Sequence, residues 1–326
     1  MAGKSVALFH YSLTGTTEYL AKLIAEQFEA VGFQKPIVHS LLDALHDNNY
    51  KAEGAAAQNI ASVAANAQVL GFGSLSWNGQ EAPGVRDLIS QLPDSCIQGK
   101  PCFIFVCGAS MAGRSFKRLE REIQMKGGWI VGRVLCVVGV SNFVLFTWRK
   151  LRISSSGFEA AKKQANELAL KISTWTPPSS TPPKPTEPRD NAELGPQTNS
   201  LPPIKVDKKL CIKCGLCVRN CPVKCIDMED GFPVSDHNRC IGCCRCLNQC
   251  PKQALAPEGI SGTSWAHYGH FDPSRIDPTV PIRMREVIPS VFVAMLRLYP
   301  RRTMAVLVAL FSIFCGLGWL LVRRFF

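Results

Sequence analysis

The sequence is poor in acidic residues and lacks a charged-then-apolar presequence at its start. Its 326 residues include 25 acidic and 37 basic residues, which gives a formal net charge of +12. The basic residues are scattered, and no helix or ribbon concentrates them with aromatic side chains, so we expect no nucleic-acid partner. An apolar run begins at Ser5, and we expect no targeting peptide. Fifteen cysteines without a secretory signal indicate a reducing compartment and disfavour a disulfide framework.

Charge is also absent from one long stretch, residues 303–322, which arginine pairs bracket on both sides. As a helix this stretch would be about 30 Å long, which matches the hydrocarbon thickness of a bilayer. The alternative is a buried core helix, but basic pairs at both ends favour a transmembrane helix. We therefore expect a C-terminal tail anchor, preceded by a juxtamembrane segment over residues 261–302, with the soluble domains facing the cytosol. The sequence does not say which membrane this is.

Eight of the cysteines form two copies of one pattern, C-x-x-C-x-x-C-x-x-x-C-P. This pattern is the signature of two [4Fe-4S] clusters, in which the fourth cysteine of each run binds the other cluster. Zinc is the alternative, but a zinc site needs only four ligands, and the Cys-Pro ending has no role there. One cluster is then predicted to take Cys211, Cys214, Cys217 and Cys250, and the other Cys240, Cys243, Cys246 and Cys221.

Two further cysteines are interpreted through the internal repeat. A shift of 29 residues maps Cys225 onto Ala254 and Gly215 onto Cys244. Cys225 is therefore predicted to be a small buried hydrophobic residue. Cys244 is predicted to pack as a small residue, and a spare thiol beside a cluster is the alternative. Neither is assigned as a ligand. The doubled run resembles that of bacterial-type two-cluster ferredoxins, which implies a small α+β electron-carrying domain over residues 204–260.

The N-terminal half alternates between apolar strand patterns and amphipathic helix patterns. Strands are predicted at Ser5–Phe9, Pro36–His39, Val69–Gly73, Cys102–Gly108 and Val131–Val138, and helices after Thr17 and at Val85–Leu92, Arg114–Met125 and Phe158–Thr174. Such alternation predicts an α/β domain over residues 1–176, with a doubly wound parallel sheet covered on both faces. Residues 43–67 are expected to form a peripheral helix and loop. Cys102, Cys107 and Cys136 lie on central strands and are predicted to be buried.

A loop rich in hydroxyl groups follows the first strand and opens a helix. Because backbone N–H groups at a helix N-terminus bind anions, this loop suits a phosphate. It lacks the lysine of a nucleoside triphosphate loop and the three spaced glycines of a dinucleotide loop, so a phosphate monoester is the predicted ligand. An ordinary helix N-cap is the alternative. The predicted phosphate-binding residues are Ser12, Thr14, Gly15, Thr16 and Thr17.

Ligands of such sheets bind beyond the carboxyl ends of the strands, where two more loops are expected to meet the first. These loops contain Ser74, Leu75, Ser76, Trp77 and Asn78 after the third strand, and Gly108, Ala109, Ser110 and Gly113 after the fourth. The layout resembles flavodoxin, which implies an FMN whose phosphate lies in the first loop and whose ring lies between the other two. The resemblance implies that Trp77 stacks on the ring, and ordinary packing is the alternative. The last loop has no aromatic residue, so the second face of the flavin is expected to be open.

Between the two predicted domains, residues 177–203 include nine prolines. Such a segment cannot form a core, and as an extended spacer it could reach on the order of 80 Å. We expect it to tether the domains without fixing their distance.

Over about residues 4–260 the order of the domains resembles a family of flavodoxin-ferredoxin fusion proteins. That resemblance implies an electron carrier acting between two [4Fe-4S] clusters, an FMN and external redox partner proteins. No His, Cys or carboxylate pair stands out as a general acid or base, so no catalytic residue is assigned. Two alternatives stay open: a flavin-dependent reductase of a quinone or nitro compound fed by the clusters, and a flavin-free iron-sulfur sensor or scaffold.

Overall fold

A computed structural model of the chain describes residues 3–13, 15–42, 54–77, 80–82, 84–108, 113–137, 153–185, 203–240, 242–258 and 276–277. In the N-terminal half the strands are β1 (Val6–His10), β2 (Ile37–Ser40), β3 (Val69–Trp77), β4 (Gln80–Glu81), β5 (Pro101–Gly108), β6 (Trp129–Val137) and β7 (Ile153–Ser154). The helices there are α1 (Thr16–Ala30), α2 (Gly54–Asn66), α3 (Val85–Gln91), α4 (Gly113–Met125) and α5 (Ser155–Ser173), with a 3₁₀ turn at Asp94–Cys96.

Five parallel strands form the central sheet in the order β2-β1-β3-β5-β6. Short β4 adds to the end of β3 in the antiparallel sense. Counting the parallel strands alone, the order is 2-1-3-4-5, which is the order of flavodoxin-like doubly wound sheets. The predicted α/β fold is therefore confirmed for this half. Ligands in this topology bind where the carboxyl ends of β1 and β3 meet.

Alternating residues of each strand cover the two faces of the sheet because successive side chains point to opposite sides. On one face, Leu8 and Phe103 pack with Leu20, Ile24 and Phe28 of α1 and with residues of α5. The other face presents Phe9, Phe72 and Ile104 to helices α2, α3 and α4. Both faces are thus buried, as parallel sheets require. Cys102, Cys107 and Cys136 lie inside this core, which confirms the prediction that they are buried.

A helix was expected within residues 43–67, and α2 confirms it; much of its surface is exposed, and residues 43–53 lie outside the described residues. Ile60 and Ala64 of α2 are fully buried against the sheet core. The apolar side chains of this alanine-rich helix recur at a spacing of four residues, so they form one narrow stripe that packs on the sheet.

Strand β3 extends four residues beyond the predicted Val69–Gly73. Residues Ser74 and Leu75 continue the pairing with β5, and Ser76 and Trp77 pair with Glu81 and Gln80 of β4. The predicted loop after β3 is therefore strand over much of its length, because β5 and β4 offer hydrogen-bond partners that the sequence does not reveal.

The cysteine-rich part forms a second, smaller unit. Its elements are β8 (Ile204–Val206), α6 (Leu216–Arg219), β9 (Ile226–Glu229), β10 (Phe232–Ser235), α7 (Arg245–Gln249) and β11 (Leu255–Pro257). Strands β8 and β11 pair in the antiparallel sense, as do β9 and β10, and the two short helices contact each other. This arrangement agrees with the predicted α+β fold. A further short strand, β12 (Ile276–Asp277), pairs with β7.

The described part of the proline-rich segment, residues 177–185, contains no helix or strand. Among the described residues, no helix has the length and apolar character needed to cross a bilayer. The predicted span at residues 303–322 lies outside them.

Gly73 offers a test of the core packing on β3. A Cβ placed on this residue would lie 2.1 Å from Cε2 of Phe105 on the neighbouring strand. We predict that Gly73→Ala lowers the free energy of unfolding by about 1–3 kcal/mol, because one of the two side chains must leave its position. Urea denaturation followed by circular dichroism measures this change. The double variant Gly73→Ala/Phe105→Leu should lose less than the sum of the single changes. Strict additivity would contradict the proposed contact.

Candidate iron-sulfur and flavin sites

The two halves of the cysteine-rich domain repeat the same hydrogen bonds. Asp207 accepts a hydrogen bond on its side chain from the N–H of Lys209, and its carbonyl accepts one from the N–H of Cys211. Twenty-nine residues later, Asp236 makes the same two bonds with the N–H groups of Asn238 and Cys240. Each aspartate thus closes the turn that positions the first cysteine of its run.

Backbone dihedrals repeat in the same way. The residues with positive φ include Lys213, Gly215 and Lys224 in the first half and Gly242, Cys244 and Gln253 at the corresponding positions of the second half. Left-handed residues bend the chain sharply, so the thiols of one run turn toward a common centre. Cys244 adopts φ 56° without being glycine. The shape of the turn is therefore kept in the second half although its residue type is not.

The first cluster site brings together cysteines from both runs. Cys211, Cys214, Cys217 and Cys250 line one cavity, whose walls include Ile212, Leu216, Met228, Pro233, Pro251 and Leu255. Cys217 also interacts electrostatically with Cys214 and Cys250, and burial raises the pKa of the Cys217 thiol. We call this group site 1, and its role as a cluster site stays a prediction.

The second group, site 2, contains Cys240, Cys243, Cys246 and Cys221. Cys221 interacts electrostatically with the other three. Burial raises the pKa of Cys243 to about 12 and that of Cys246 well above its usual value. A set of four thiol donors suits a thiolate-bound metal centre such as an iron-sulfur cluster. Among the described residues, no three His, Cys, Asp or Glu side chains are arranged to hold a single metal ion.

Cys225 is buried as predicted, but it is more than a small hydrophobic residue. Its sulfur lies 3.6 Å from that of Cys221, and its thiol also forms a hydrogen bond with Cys240. These bonds lower the pKa of Cys221 and of Cys240, because a thiol donor stabilises a neighbouring thiolate. The prediction missed this role because Ala254, the equivalent residue in the other half, has no polar group.

Backbone amides donate to the sulfurs of both sites. The N–H of Ala254 lies 3.2 Å from the sulfur of Cys250, and the N–H of Cys225 lies 3.4 Å from that of Cys221. The N–H of Gly242 lies 3.4 Å from the sulfur of Cys240. Such bonds favour thiolate and tune the reduction potential of a bound cluster.

In the other domain, the predicted phosphate loop lies between β1 and α1. Gly15 adopts φ 96° at the start of α1, and its N–H donates to the hydroxyl of Ser12 at 3.1 Å. Ser12 and Thr17 are buried, and Thr16 is half-buried. This donor set of hydroxyls at a helix N-terminus fits a phosphate group. Thr14 lies outside the described residues.

The other two predicted loops meet each other at the carboxyl ends of β3 and β5. A Cβ on Gly108 would lie 2.6 Å from Cβ of Ser76, so the two strand ends are in direct contact. The Ser74 hydroxyl accepts a hydrogen bond from the N–H of Ala82 at 2.8 Å and thereby closes the β3–β4 hairpin. Trp77 ends β3 and Gly113 begins α4, while Asn78, Ala109 and Ser110 lie outside the described residues.

A buried charged group beside these loops was missed by the sequence analysis. Glu81 of β4 is fully buried, and an oxygen of its carboxylate lies 3.8 Å from Arg118 of α4 and 4.0 Å from Arg86 of α3. Burial raises the pKa of Glu81, while the two arginines lower it. This group joins the hairpin after β3 to the helix after the third loop. A two-residue strand has no pattern from which it could have been predicted.

His10 lies at the end of β1, directly before the phosphate loop. It is buried, and its Nδ1 has no hydrogen-bond partner within the described structure. Burial lowers the pKa of His10 to about 4, so the ring is neutral at physiological pH.

Comparison with known proteins agrees with this division. A family model described as a 4Fe-4S dicluster domain matches residues 203–259. Similar solved structures include a WrbA-like flavodoxin from Agrobacterium tumefaciens. It is 16% identical to this chain, the match covers 52% of this chain and 98% of that one, and the TM-score is 0.39. Flavodoxin 2 from Bacillus cereus is 16% identical over 51% of this chain and 99% of that one, with a TM-score of 0.36. The flavodiiron protein from Giardia intestinalis is 16% identical over 52% of this chain and 36% of that one, with a TM-score of 0.37.

The strand order of the central sheet is sufficient to define this fold. A search among curated proteins finds no match. The chain thus joins a flavodoxin-type α/β domain to a C-terminal 4Fe-4S dicluster domain of the ferredoxin type. The dicluster domain belongs to a class that binds iron-sulfur clusters, which supports a general redox or electron-transfer role.

The exchange of the fourth cysteine between the runs leads to a prediction about paired substitutions. Cys214→Ala/Cys250→Ala should leave one cluster, because both residues belong to site 1. Cys243→Ala/Cys250→Ala should damage both clusters, since it removes one ligand from each site. Iron and acid-labile sulfide, measured after anaerobic purification, distinguish the two variants. The opposite ranking would show that each run binds its own cluster. Cys250 is preferred to Cys221 for this test because Cys221 has the Cys225 thiol 3.6 Å away.

Proposed function

We propose that this protein is a membrane-tethered electron-transfer protein that passes electrons between two [4Fe-4S] clusters, an FMN and external redox partner proteins. The observation that carries the proposal is the convergence of Cys250 with Cys211, Cys214 and Cys217 on one cavity. Residues of two different runs meet there only because the domain folds as an intertwined repeat. A mononuclear zinc site would need no such exchange.

The chain would hold each cluster by four thiolates and shield it with apolar residues. When bound, each cluster exchanges one electron. Ile212, Leu216 and Leu255 line site 1 and keep water away from part of it. The N–H groups of Ala254 and Cys225 donate to ligand sulfurs and so stabilise the more negative state.

In the flavodoxin-type domain, the hydroxyls of Ser12, Thr16 and Thr17 and the amides at the start of α1 would hold the FMN phosphate. When bound, FMN accepts two electrons and releases them one at a time, which couples it to one-electron clusters. The ends of β3 and β5 would flank the ring, and the buried ion group around Glu81 links β4, which pairs with the end of β3, to helices α3 and α4. No residue here is assigned to bond-making chemistry.

A flavin site in this loop predicts selective loss of flavin on substitution. Thr17→Ala and Gly15→Val should lower the flavin content of anaerobically purified full-length protein several-fold, because one removes a hydroxyl and the other blocks a left-handed backbone. Iron and sulfide should stay unchanged. Flavin released by heating is measured by fluorescence. Thr174→Ala, which removes an exposed hydroxyl at the end of α5, serves as the control. A wild-type protein with full iron and no flavin would instead favour an iron-sulfur sensor or scaffold.

The membrane tether is proposed from residues 303–322 alone. Leu310→Arg/Phe314→Arg should release the full-length chain from membranes during alkaline carbonate extraction, because each arginine at the centre of a span costs about 2.5–3.5 kcal/mol. Leu170→Arg, on the exposed face of α5, adds charge outside the span and should leave the chain in the pellet. Equal partition of the two variants would contradict the tether.

A further inference from the structure

The two cluster sites differ sharply in their exposure. At site 2, Cys221, Cys243 and Cys246 are 5%, 7% and 8% exposed, and Cys240 is half-buried. At site 1, Cys214 is exposed, and Cys211, Cys217 and Cys250 are half-buried. Because electron tunnelling falls steeply with distance, a partner can approach a cluster at site 1 far more closely than one at site 2.

Site 1 is surrounded by exposed apolar side chains. Ile212 and Met228 line its cavity and are 56% and 40% exposed, and Leu210 just before Cys211 is 47% exposed. Large exposed side chains of this kind are rare elsewhere in the described part of this small domain, where Val234 is the other example. Clustered apolar exposure of this kind marks an interaction surface.

Lysines surround this apolar centre. Lys213 and Lys252 line the cavity, and the amino groups of Lys213 and Lys208 lie 4.3 and 5.1 Å from the ring centre of Phe232. These two lysines are therefore held in place over an aromatic ring. Within the described residues, no carboxylate forms an ion pair with Lys208, Lys213 or Lys252.

Nearby acidic residues do not cancel this charge. Asp227 and Glu229 flank Met228 on β9, and alternation along a strand directs them to the face opposite Met228. Asp230 lies in the turn between β9 and β10, and Asp207 holds the turn before Cys211. The residues that line the cavity include Lys213 and Lys252 and no carboxylate, so the rim facing the cavity is positive.

We propose that this face, made of Leu210, Ile212, Met228, Lys208, Lys213 and Lys252, docks an acidic redox protein and that electrons enter or leave the dicluster domain through site 1. The flavodoxin-type domain of the same chain fits less well, since residues 1–176 contain 18 basic and 13 acidic residues. The proposal rests on the proposed function in that site 1 must hold a cluster.

Small charged oxidants test the proposal without knowledge of the partner. Full-length protein with measured iron and sulfide for two clusters is reduced and then mixed in a stopped-flow instrument with anionic hexacyanoferrate(III) or cationic hexaamminecobalt(III). Cluster absorbance reports the loss of one electron to each oxidant ion. In the wild type, the anion should react faster as ionic strength falls, because a positive rim attracts it. Lys208→Glu/Lys213→Glu should slow the anion about tenfold and accelerate the cation.

Lys162→Glu/Lys163→Glu is the matched control, because it makes the same change in net charge on the exposed side of α5. It should change either rate less than twofold. Poly-L-glutamate, an acidic polypeptide, should slow oxidation of the wild type at low salt and have no effect on Lys208→Glu/Lys213→Glu.

Two results would overturn the proposal. Equal effects of the two lysine pairs would place the exchange of electrons elsewhere. Insensitivity of the wild type to both oxidant charge and poly-L-glutamate would mean that another part of the chain covers this face. Both results leave the clusters in place and the proposed function intact. A preparation without iron and sulfide would overturn the proposed function and, with it, this inference.

Discussion

The position of Cys250 beside the first cysteine run is the constraint on which the dicluster domain depends. Neither half of the repeat has four thiols at its own site, so neither half can enclose a cluster alone. The turns closed by Asp207 and Asp236, the left-handed residues after each first cysteine and the contact between α6 and α7 all bring the halves together. Binding of a cluster and folding of the domain are therefore coupled, as in other small metal-containing domains.

A different constraint, the burial of both faces of a parallel sheet, shapes the flavodoxin-type domain. Its five parallel strands must be buried on both faces, and the helices that bury them leave one open edge at the carboxyl ends of the strands. The hydroxyl loop, the β3–β4 hairpin and the start of α4 all lie at this edge. Glu81, Arg86 and Arg118 link two of these segments through buried charges, a costly arrangement in which loss of one partner would leave the others unpaired. These costly buried charges lie beside the strand ends, where a bound ligand would need rigid surroundings.

The two halves of the dicluster domain have similar backbone conformations but differ in their surroundings. Site 1 lies at the surface among apolar residues and lysines. Three of the four cysteines of site 2 are buried, and two extra thiols, Cys225 and Cys244, lie beside them. Electrostatic surroundings and hydrogen bonds to sulfur set the potential of a cluster. If both sites hold clusters, as proposed, their unequal surroundings would give them different reduction potentials and different access to a partner.

The sequence by itself determined the parts of this protein whose chemistry depends on local spacing. These parts are the doubled cysteine pattern, the alternation of strands and helices, and the hydroxyl loop before α1. Each is a short-range feature, because it is defined by residues that are close together in the sequence. The folded structure decided what depends on residues far apart in the chain. It extended β3 through pairing with β4 and β5, buried α2 against the sheet, assembled Glu81 with two arginines from different helices, and placed the Cys225 thiol between two ligand cysteines. None of these follows from the sequence, because each arises from contacts whose partners are chosen only when the strands and helices pack together.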